Sequence, residues 1–236
     1  GAKACRVFPM SSPVGSHLPV AVGAAMAVAR REPGAVVVCT FGDGATSTGD
    51  FHGALTMAGI EKPPIVFVCE NNRYAISVPV ERQCPVPSVS AKAAGYGMPG
   101  ATLDGLDVSA VHDGVAAAIE RARDGGGPTL LELDLYRFAP HSSSDDDSRY
   151  RAADEVERRR GSDPIHRCRV ALEAAGLWTE EKERDLIATI RATQGKALAA
   201  AEAADPIPPH WMFDDVFSTE PWHLAQARRR LERELD

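Results

Sequence analysis

Two short polar motifs in this chain of 236 residues each follow an apolar run. Gly42-Asp43-Gly44 comes directly after the run 36–41, and Asn71-Asn72 follows the run 65–69. The segment 48–60 between them has the length of one helix. The pattern therefore predicts strand, crossover helix and strand, the unit of a parallel sheet. Because the carboxyl ends of both strands then lie at one edge, Asp43 and Asn72 are expected to meet there.

The residue types at this edge suit a magnesium ion that is shared with a phosphate. Magnesium takes one or two carboxylates and completes its octahedral shell with water and phosphate oxygens. Gly42 and Gly44 allow a tight turn and a close approach of the backbone to a phosphate. Two alternatives remain at this point. Asp43 could simply shape one turn and Asn72 cap another. Alternatively the motif could bind a dinucleotide, although Ser47 stands where that fingerprint requires its third glycine.

The elements that must position these residues follow from periodicity and from proline and glycine breaks. The segments 78–89, which is rich in proline, and 141–148, which is polar, are predicted loops. From Ala153 onward the pattern is helical, with Thr179 as an N-cap. We predict an α/β fold, a parallel sheet flanked by helices with a helical C-terminal tail, in a single domain with a core over 1–150 and an extension over 151–236. Helices are predicted over 20–31, 48–60, 90–96 and 108–123, and strands over 36–41, 65–69, 101–103 and 128–136.

Composition restricts the class of protein. The formal net charge of −7 argues against a nucleic-acid-binding surface. The sequence has no apolar run of membrane-spanning length, so we expect no membrane association. The five cysteines are scattered without a CxxC spacing, which fits a reducing compartment. A cytoplasmic location is therefore expected.

The two motifs in their wider context resemble a known family. The runs 42–50 and 71–77 are similar to the alpha subunits of thiamine diphosphate-dependent 2-oxo acid dehydrogenases. The segments 211–217 and 221–224 resemble the branched-chain (2-oxoisovalerate) members more than the pyruvate ones. The resemblance covers nearly the whole chain and implies the thiamine diphosphate-binding fold. In that family a sizeable N-terminal part precedes the position of Gly1, so we interpret this sequence as a fragment or a shortened subunit.

The resemblance also implies a set of site residues. It makes Asp43, Asn72 and the backbone carbonyl of Tyr74 the magnesium ligands. The backbone around Ser12 and Val14 would hold the aminopyrimidine ring of the cofactor. Some relatives place a potassium ion near the positions of Ser16 and His17. The implied cofactor-binding residues are Ser12, Val14, Gly42, Asp43, Gly44, Ala45, Asn72, Arg137 and His141.

Two of these residues lie beyond the predicted strand 128–136, at the same sheet edge. An arginine such as Arg137 can hold a diphosphate bidentately. His141 can donate a hydrogen bond or act as a catalytic acid or base. Simple solvent exposure is the alternative for both. Glu70 stands where some relatives carry an arginine, and a carboxylate cannot hold a diphosphate, so that contact is not expected here.

The resemblance implies decarboxylation of a branched-chain 2-oxo acid and transfer of the acyl group to a lipoyl-bearing partner. It places the chain in an α2β2 assembly, with the activating glutamate on the beta subunit, so the chain alone should be inactive. The aromatic tail 211–224 is predicted to lie at the contact with the beta subunit. Three alternatives stay open: a pyruvate or acetoin dehydrogenase alpha subunit, a non-catalytic fragment, and a nucleotide-binding α/β protein.

The segment Ser142-Ser143-Ser144 falls in the loop that is phosphorylated in mitochondrial relatives. A phosphate beside His141 and Asp145 would repel the diphosphate of the cofactor. A flexible acidic loop without that modification is the alternative interpretation.

Overall fold

The computed structural model describes residues 3–8, 12–214 and 217–235. Its first compact unit, Gly1–Leu177, contains a parallel four-stranded sheet in the order β1-β2-β6-β5 and a small antiparallel hairpin of β3 and β4. The elements of this unit, in chain order, are α1 (His17–Arg31), β1 (Val37–Gly42), α2 (Gly49–Glu61), β2 (Ile65–Asn71), β3 (Tyr74–Ala75), β4 (Val78–Pro79), β5 (Gly100–Asp104), α3 (Val108–Arg123), β6 (Thr129–Asp134), α4 (Ala153–Arg159) and α5 (Pro164–Ala174). The predicted α/β fold is confirmed.

The crossover helix between the two motifs has the boundaries that its sequence favours. Thr48 is its N-cap, with Oγ1 accepting a hydrogen bond from the Phe51 amide at 3.3 Å. Lys62 ends α2 in the left-handed conformation, with φ of 50°. Helix α1 begins at His17, earlier than the predicted Val20. Pro19 causes no break there because the first turn of a helix needs no amide donor.

The central strand β2 is buried on both faces. Ile65, Phe67 and Cys69 belong to the core cluster that also contains residues of α1 and α2. Val66 and Val68 belong to a second cluster, with Ala118 and Ala122 of α3. A strand covered on both faces has to be apolar along nearly its whole length, and this is why 65–69 is an uninterrupted apolar run.

The parallel register brings the strand ends together. Gly42 of β1 is opposite Glu70 of β2, and Asn71 of β2 is opposite Asp134 of β6. Asp104 of β5 is opposite that same Asp134. The loops that follow all four strands therefore leave one rim of the sheet. A 3-10 helix over Asp43–Ser47 follows β1 at this rim. The segment Ser90–Tyr96, for which a short helix was predicted, forms another 3-10 helix.

The second compact unit, Trp178–Asp236, is helical as predicted for the tail. It contains α6 (Glu180–Glu202), a 3-10 helix (Pro209–Met212) and α7 (Trp222–Leu235). The Thr179 hydroxyl caps α6 by accepting from the Lys182 amide at 3.3 Å. The units divide after Leu177, so α4 and α5 belong to the first unit, whereas the sequence placed the extension at 151–236. The single-domain organisation stays a prediction. None of the helices described here has the length and apolarity needed to cross a membrane.

Candidate functional site at the carboxyl rim of the sheet

Asp43 occupies the first position after β1 and is buried, with 2% of its surface exposed. Gln83 Nε2 donates a hydrogen bond to its Oδ2 at 3.1 Å. Burial raises the pKa of Asp43 above its ordinary value, and hydrogen bonds from Gln83 and from the backbone amides of Asp43 and Asn72 lower it in part. The structure thus brings Asp43 and Asn72 together, as the two strand ends predict.

The paired asparagines have different partners. The Asn71 side chain is buried, accepting from the Arg73 amide at 3.0 Å and donating to Glu132 Oε1 at 2.7 Å. Asn72 is half-buried, and its Oδ1 accepts from the Tyr74 amide at 3.2 Å. These two Asx turns shape the exit from β2, where Arg73 has a φ of 77°. Asn71 therefore fixes the strand end, while Asn72 lies at the rim beside Asp43.

Arg137 and Tyr74 are in direct contact at this rim. Arg137 Nη1 donates to the Tyr74 carbonyl oxygen at 3.3 Å, and its Nη2 donates to the Ile76 carbonyl at 2.7 Å. The same guanidinium lies 5.9 Å from the centroid of the Tyr74 ring. A carbonyl oxygen carries two lone pairs, so that of Tyr74 can accept this hydrogen bond and still face a cation.

His141 is exposed and joins the site through the loop that carries it. Its backbone amide donates to Asp145 Oδ2 at 2.8 Å. The Tyr150 hydroxyl donates to that same oxygen and accepts from Arg137 Nη2 at 2.9 Å. The hydrogen bond from Tyr150 and that from the His141 amide hold the pKa of Asp145 below its ordinary value. The loop 137–150 is thus connected by polar contacts, although its serines 142–144 are exposed.

The segment before α1 packs against the start of α2. Gly15 is buried with φ of +86°, and a Cβ added there would lie 2.5 Å from Thr48 Oγ1. Ser12 and Val14 are exposed in this segment. His17 Nε2 lies 2.9 Å from the Thr40 carbonyl, and its buried Nδ1 has no hydrogen-bond partner within the described chain.

The packing requires a glycine at position 44 but leaves room for a side chain at position 42. A Cβ at Gly44 would lie 2.7 Å from the Cβ of Ala75, so the loop after β1 and the hairpin strand β3 can meet only without that side chain. A Cβ at Gly42 would meet nothing within 4 Å. Ala45, the next predicted cofactor residue, is buried in the same turn.

Sequence reasoning missed two residues that hold this rim. Gln83 lies in the proline-rich segment 78–89, where the side-chain contact to Asp43 leaves no periodic signal. Glu132 lies inside the apolar strand β6 and is 3% exposed. A single charged residue within a buried strand needs partners, and this is the signal that could have revealed it.

The donor set fits a magnesium ion bound together with a phosphate ligand. Asp43 is a buried carboxylate that forms no ion pair with any residue the structure describes. A buried charge of this kind is costly unless a cation compensates it. Across the described ranges, no cluster of three or more His, Cys, Asp or Glu side chains suits a metal. One carboxylate, one amide oxygen and one carbonyl leave positions for phosphate oxygens, which is the usual composition of a magnesium site.

The fold and the rim together define a class: an open parallel α/β sheet that carries Asp43, Asn72 and Arg137 at the carboxyl ends of its strands. Residues 1–210 match the family model described as the dehydrogenase E1 component. The chain belongs to the dehydrogenase E1 component family.

Three curated relatives carry consistent names. The chain is 42% identical over 218 residues to the 2-oxoisovalerate dehydrogenase subunit alpha of Bacillus subtilis, covering 92% of this chain and 66% of the relative. It is 45% identical over 211 residues to the 3-methyl-2-oxobutanoate dehydrogenase subunit alpha of Mycobacterium tuberculosis, covering 89% and 56%. It is 38% identical over 239 residues to the mitochondrial 2-oxoisovalerate dehydrogenase subunit alpha of Homo sapiens, covering 100% and 53%.

These comparisons confirm the resemblance to branched-chain alpha subunits that the motifs indicated. The chain spans between 53% and 66% of the length of these three relatives. The activity, substrate and partners of a whole enzyme therefore enter as proposals.

Proposed function

We propose that this chain is part of the alpha subunit of a branched-chain 2-oxo acid dehydrogenase. In this proposal the enzyme uses thiamine diphosphate and magnesium to decarboxylate 2-oxoisovalerate and related acids, and passes the acyl group to a lipoyl-bearing partner. The observation that carries the proposal is the meeting of buried Asp43 with Asn72 at the carboxyl rim. Membership in the dehydrogenase E1 component family and the names of the relatives support the choice of substrate.

The roles of the residues follow from their positions. Asp43, Asn72 and the Tyr74 carbonyl would hold magnesium. Arg137 and His141 would hold the diphosphate, and His141 would also donate or accept a proton. Arg137 would have to exchange part of its present contacts with the carbonyls of Tyr74 and Ile76 to reach a phosphate. When bound, the cofactor supplies the stabilised carbanion that decarboxylation requires.

The remaining contacts of the cofactor are assigned to the turn after β1 and to the segment before α1. Gly42, Gly44 and Ala45 would approach the diphosphate through their backbone. Ser12 and Val14 would face the aminopyrimidine ring, and Ser16 with His17 would lie beside a potassium ion. The partner that completes the site is a beta subunit in an α2β2 assembly, which supplies the activating glutamate. The five cysteines are free, which supports a cytoplasmic enzyme.

The test is co-expression of the complete alpha subunit with its beta subunit. Calorimetry would measure the binding of thiamine diphosphate with magnesium. A decarboxylation assay would compare branched-chain 2-oxo acids with pyruvate, and a carbon–carbon cleavage assay would test acetoin, which has no carboxyl group to lose. We expect Asp43→Asn to abolish magnesium-dependent cofactor binding. The matched control is Asp50→Asn, since Asp50 lies in the same run 42–50 but is exposed on the first turn of α2.

Three results would count against the proposal. Unchanged cofactor affinity in Asp43→Asn would remove the metal assignment. Binding of NAD in place of thiamine diphosphate would favour the nucleotide-binding alternative. Turnover of pyruvate or acetoin in preference to branched-chain acids would replace the proposed substrate class.

A second candidate is a non-catalytic remnant that folds and binds a beta subunit. Assembly with a beta subunit without cofactor binding would select this candidate.

A further inference from the structure

Lys92 lies outside the two motifs and reaches the turn after β1. It lies in the 3-10 helix Ser90–Tyr96, which follows the proline-rich segment. Its Nζ donates to the carbonyl oxygen of Thr46 at 3.2 Å and to the hydroxyl oxygen Oγ1 of Thr46 at 3.0 Å. Both acceptors belong to the 3-10 helix Asp43–Ser47. One ammonium group therefore holds this turn by a backbone atom and a side-chain atom at once.

Lys92 is half-buried and lies against two buried residues. Thr46 is 1% exposed, and the Phe51 side chain is fully buried. The Lys92 ammonium lies 5.5 Å from the centroid of the Phe51 ring, within the range of a cation–π contact. Since Thr46 is shielded from water, its hydrogen bonds from this charged donor are stronger than they would be on an open surface.

Through Thr46, Lys92 reaches the turn that begins with the proposed metal ligand Asp43, three positions earlier. The charges of Asp43 and Lys92 both act on the buried thiol of Cys69, whose pKa is raised first by burial and further by Asp43, while Lys92 lowers it. The positive charge of Lys92 and the negative charge of Asp43 thus lie around the same strand end. The positive charge of Lys92 favours an anionic group beside the turn.

We propose that Lys92 is a positioning residue for the anionic end of the cofactor, through the turn Asp43–Ser47. By holding Thr46, it fixes the backbone on which Asp43, Gly44 and Ala45 depend, and its charge adds to the attraction for a diphosphate. This inference rests on the proposed function, because it concerns the same site. If Lys92 is a positioning residue and not a purely structural one, its substitution weakens cofactor binding more than it destabilises the fold.

The experiment uses the complete alpha subunit assembled with its beta subunit, with thiamine diphosphate and magnesium as the probe. Lys92→Met removes the charge and both hydrogen bonds while keeping the apolar stem over Phe51. We expect the dissociation constant of thiamine diphosphate, measured by calorimetry without substrate, to rise by about tenfold or more. Lys92→Arg keeps the charge and should stay within about threefold of the wild type.

Three further measurements separate positioning from a structural role. KM for thiamine diphosphate should rise in Lys92→Met by more than kcat falls. The melting temperature of the cofactor-free complex should change little, as for Lys196→Met, a control at an exposed position of α6. Thr46→Val removes only the hydroxyl acceptor and should weaken cofactor binding by about threefold, so it provides a second test if Lys92→Met fails to fold.

The outcomes are distinguishable. A dissociation constant in Lys92→Met or Thr46→Val equal to that of the wild type overturns this inference and leaves the proposed function intact. A lower melting temperature in Lys92→Met with unchanged affinity assigns Lys92 to the fold alone and also overturns it. A wild-type complex that does not bind thiamine diphosphate with magnesium overturns the proposed function, and the inference falls with it.

Discussion

The Asn71 side-chain amide donates a 2.7 Å hydrogen bond to Glu132 Oε1, joining the neighbouring strands β2 and β6 beneath the rim. Both side chains are 3% exposed. The other carboxylate oxygen, Oε2, accepts from the Ser90 amide at 3.0 Å and from the Thr102 hydroxyl at 3.2 Å. Glu132 is thus a buried carboxylate with hydrogen bonds on both oxygens. It fixes the position of Asn71, whose neighbour Asn72 lies in the proposed metal site.

Removing the Glu132 carboxylate should destabilise the protein. Glu132→Ala leaves the Asn71 amide and the Ser90 amide without their acceptor in a buried place, so we expect a loss of about 3 kcal/mol in the free energy of unfolding. Urea denaturation followed by circular dichroism measures this loss. Glu70→Ala, at an exposed position on β2, should change the free energy of unfolding by less than about 0.5 kcal/mol. Equal effects of both substitutions would show that the buried network contributes nothing specific.

Glu132 should also make stability depend on acid. Burial alone would raise the pKa of Glu132, but hydrogen bonds from Ser90, Asn71, Val89 and Thr102 hold it below its ordinary value in the folded protein. The folded state therefore binds this proton less readily than the unfolded state does. The resulting stabilisation is fully present above the ordinary carboxyl pKa and is lost as pH falls through the lowered pKa.

Glu132→Gln cannot titrate, so this variant should lose less stability on acidification than the wild type. The measurement is the free energy of unfolding by urea at a series of pH values from neutral into the acid range. Parallel curves for the two proteins would mean that Glu132 has the same pKa when folded and unfolded.

Gly44 should be intolerant of a methyl group. In Gly44→Ala the new Cβ would lie 2.7 Å from the Cβ of Ala75, so the turn after β1 or strand β3 has to move. We expect a loss of about 1–3 kcal/mol in stability, together with weaker binding of thiamine diphosphate. Gly53→Ala is the matched control, because Gly53 lies in α2 with nothing within 4 Å of an added Cβ. That change should stabilise the protein by up to about 1 kcal/mol. Unchanged stability and cofactor affinity in Gly44→Ala would show that the turn adapts freely.

The loop after β6 should respond to the cofactor. Its residues 142–144 and Arg149 are exposed, while Arg137 and Tyr150 connect its two ends through a 2.9 Å hydrogen bond. If Arg137 turns to a diphosphate, the loop acquires a further attachment and should be ordered. Limited trypsin digestion should cut after Arg149 in the free complex and more slowly with thiamine diphosphate and magnesium. Cleavage within helix α6, where Arg184 and Arg191 are exposed, serves as the internal reference, and equal protection at both places would argue against a local effect.

The tail should be needed for assembly. Trp211 is 61% exposed, Phe217 58% and Trp222 76% within the second compact unit. Aromatic side chains exposed to this extent are typical of protein interfaces. We expect deletion of 211–236 to prevent formation of the complex with a beta subunit, as measured by sedimentation velocity. A full-sized complex with the truncated chain would mean that the tail lies outside the interface.

The sequence by itself determined the sheet and the place of the main pair of site residues. Two apolar runs separated by one helix length predicted two parallel strands, so Asp43 and Asn72 were expected at one rim. The glycines, the N-cap Thr179 and the helical tail are local features, and local signals predicted them correctly. The family resemblance rested on these same residues.

Only the tertiary structure decided the contacts between segments far apart in the chain. Gln83 reaches Asp43 across 40 positions, Lys92 reaches Thr46 across 46, and Asn71 reaches Glu132 across 61. None of these pairs has a periodicity or a spacing that local sequence could show. They form because the core brings the strands and the 3-10 helices together, and because buried polar groups must then find partners wherever the fold places them.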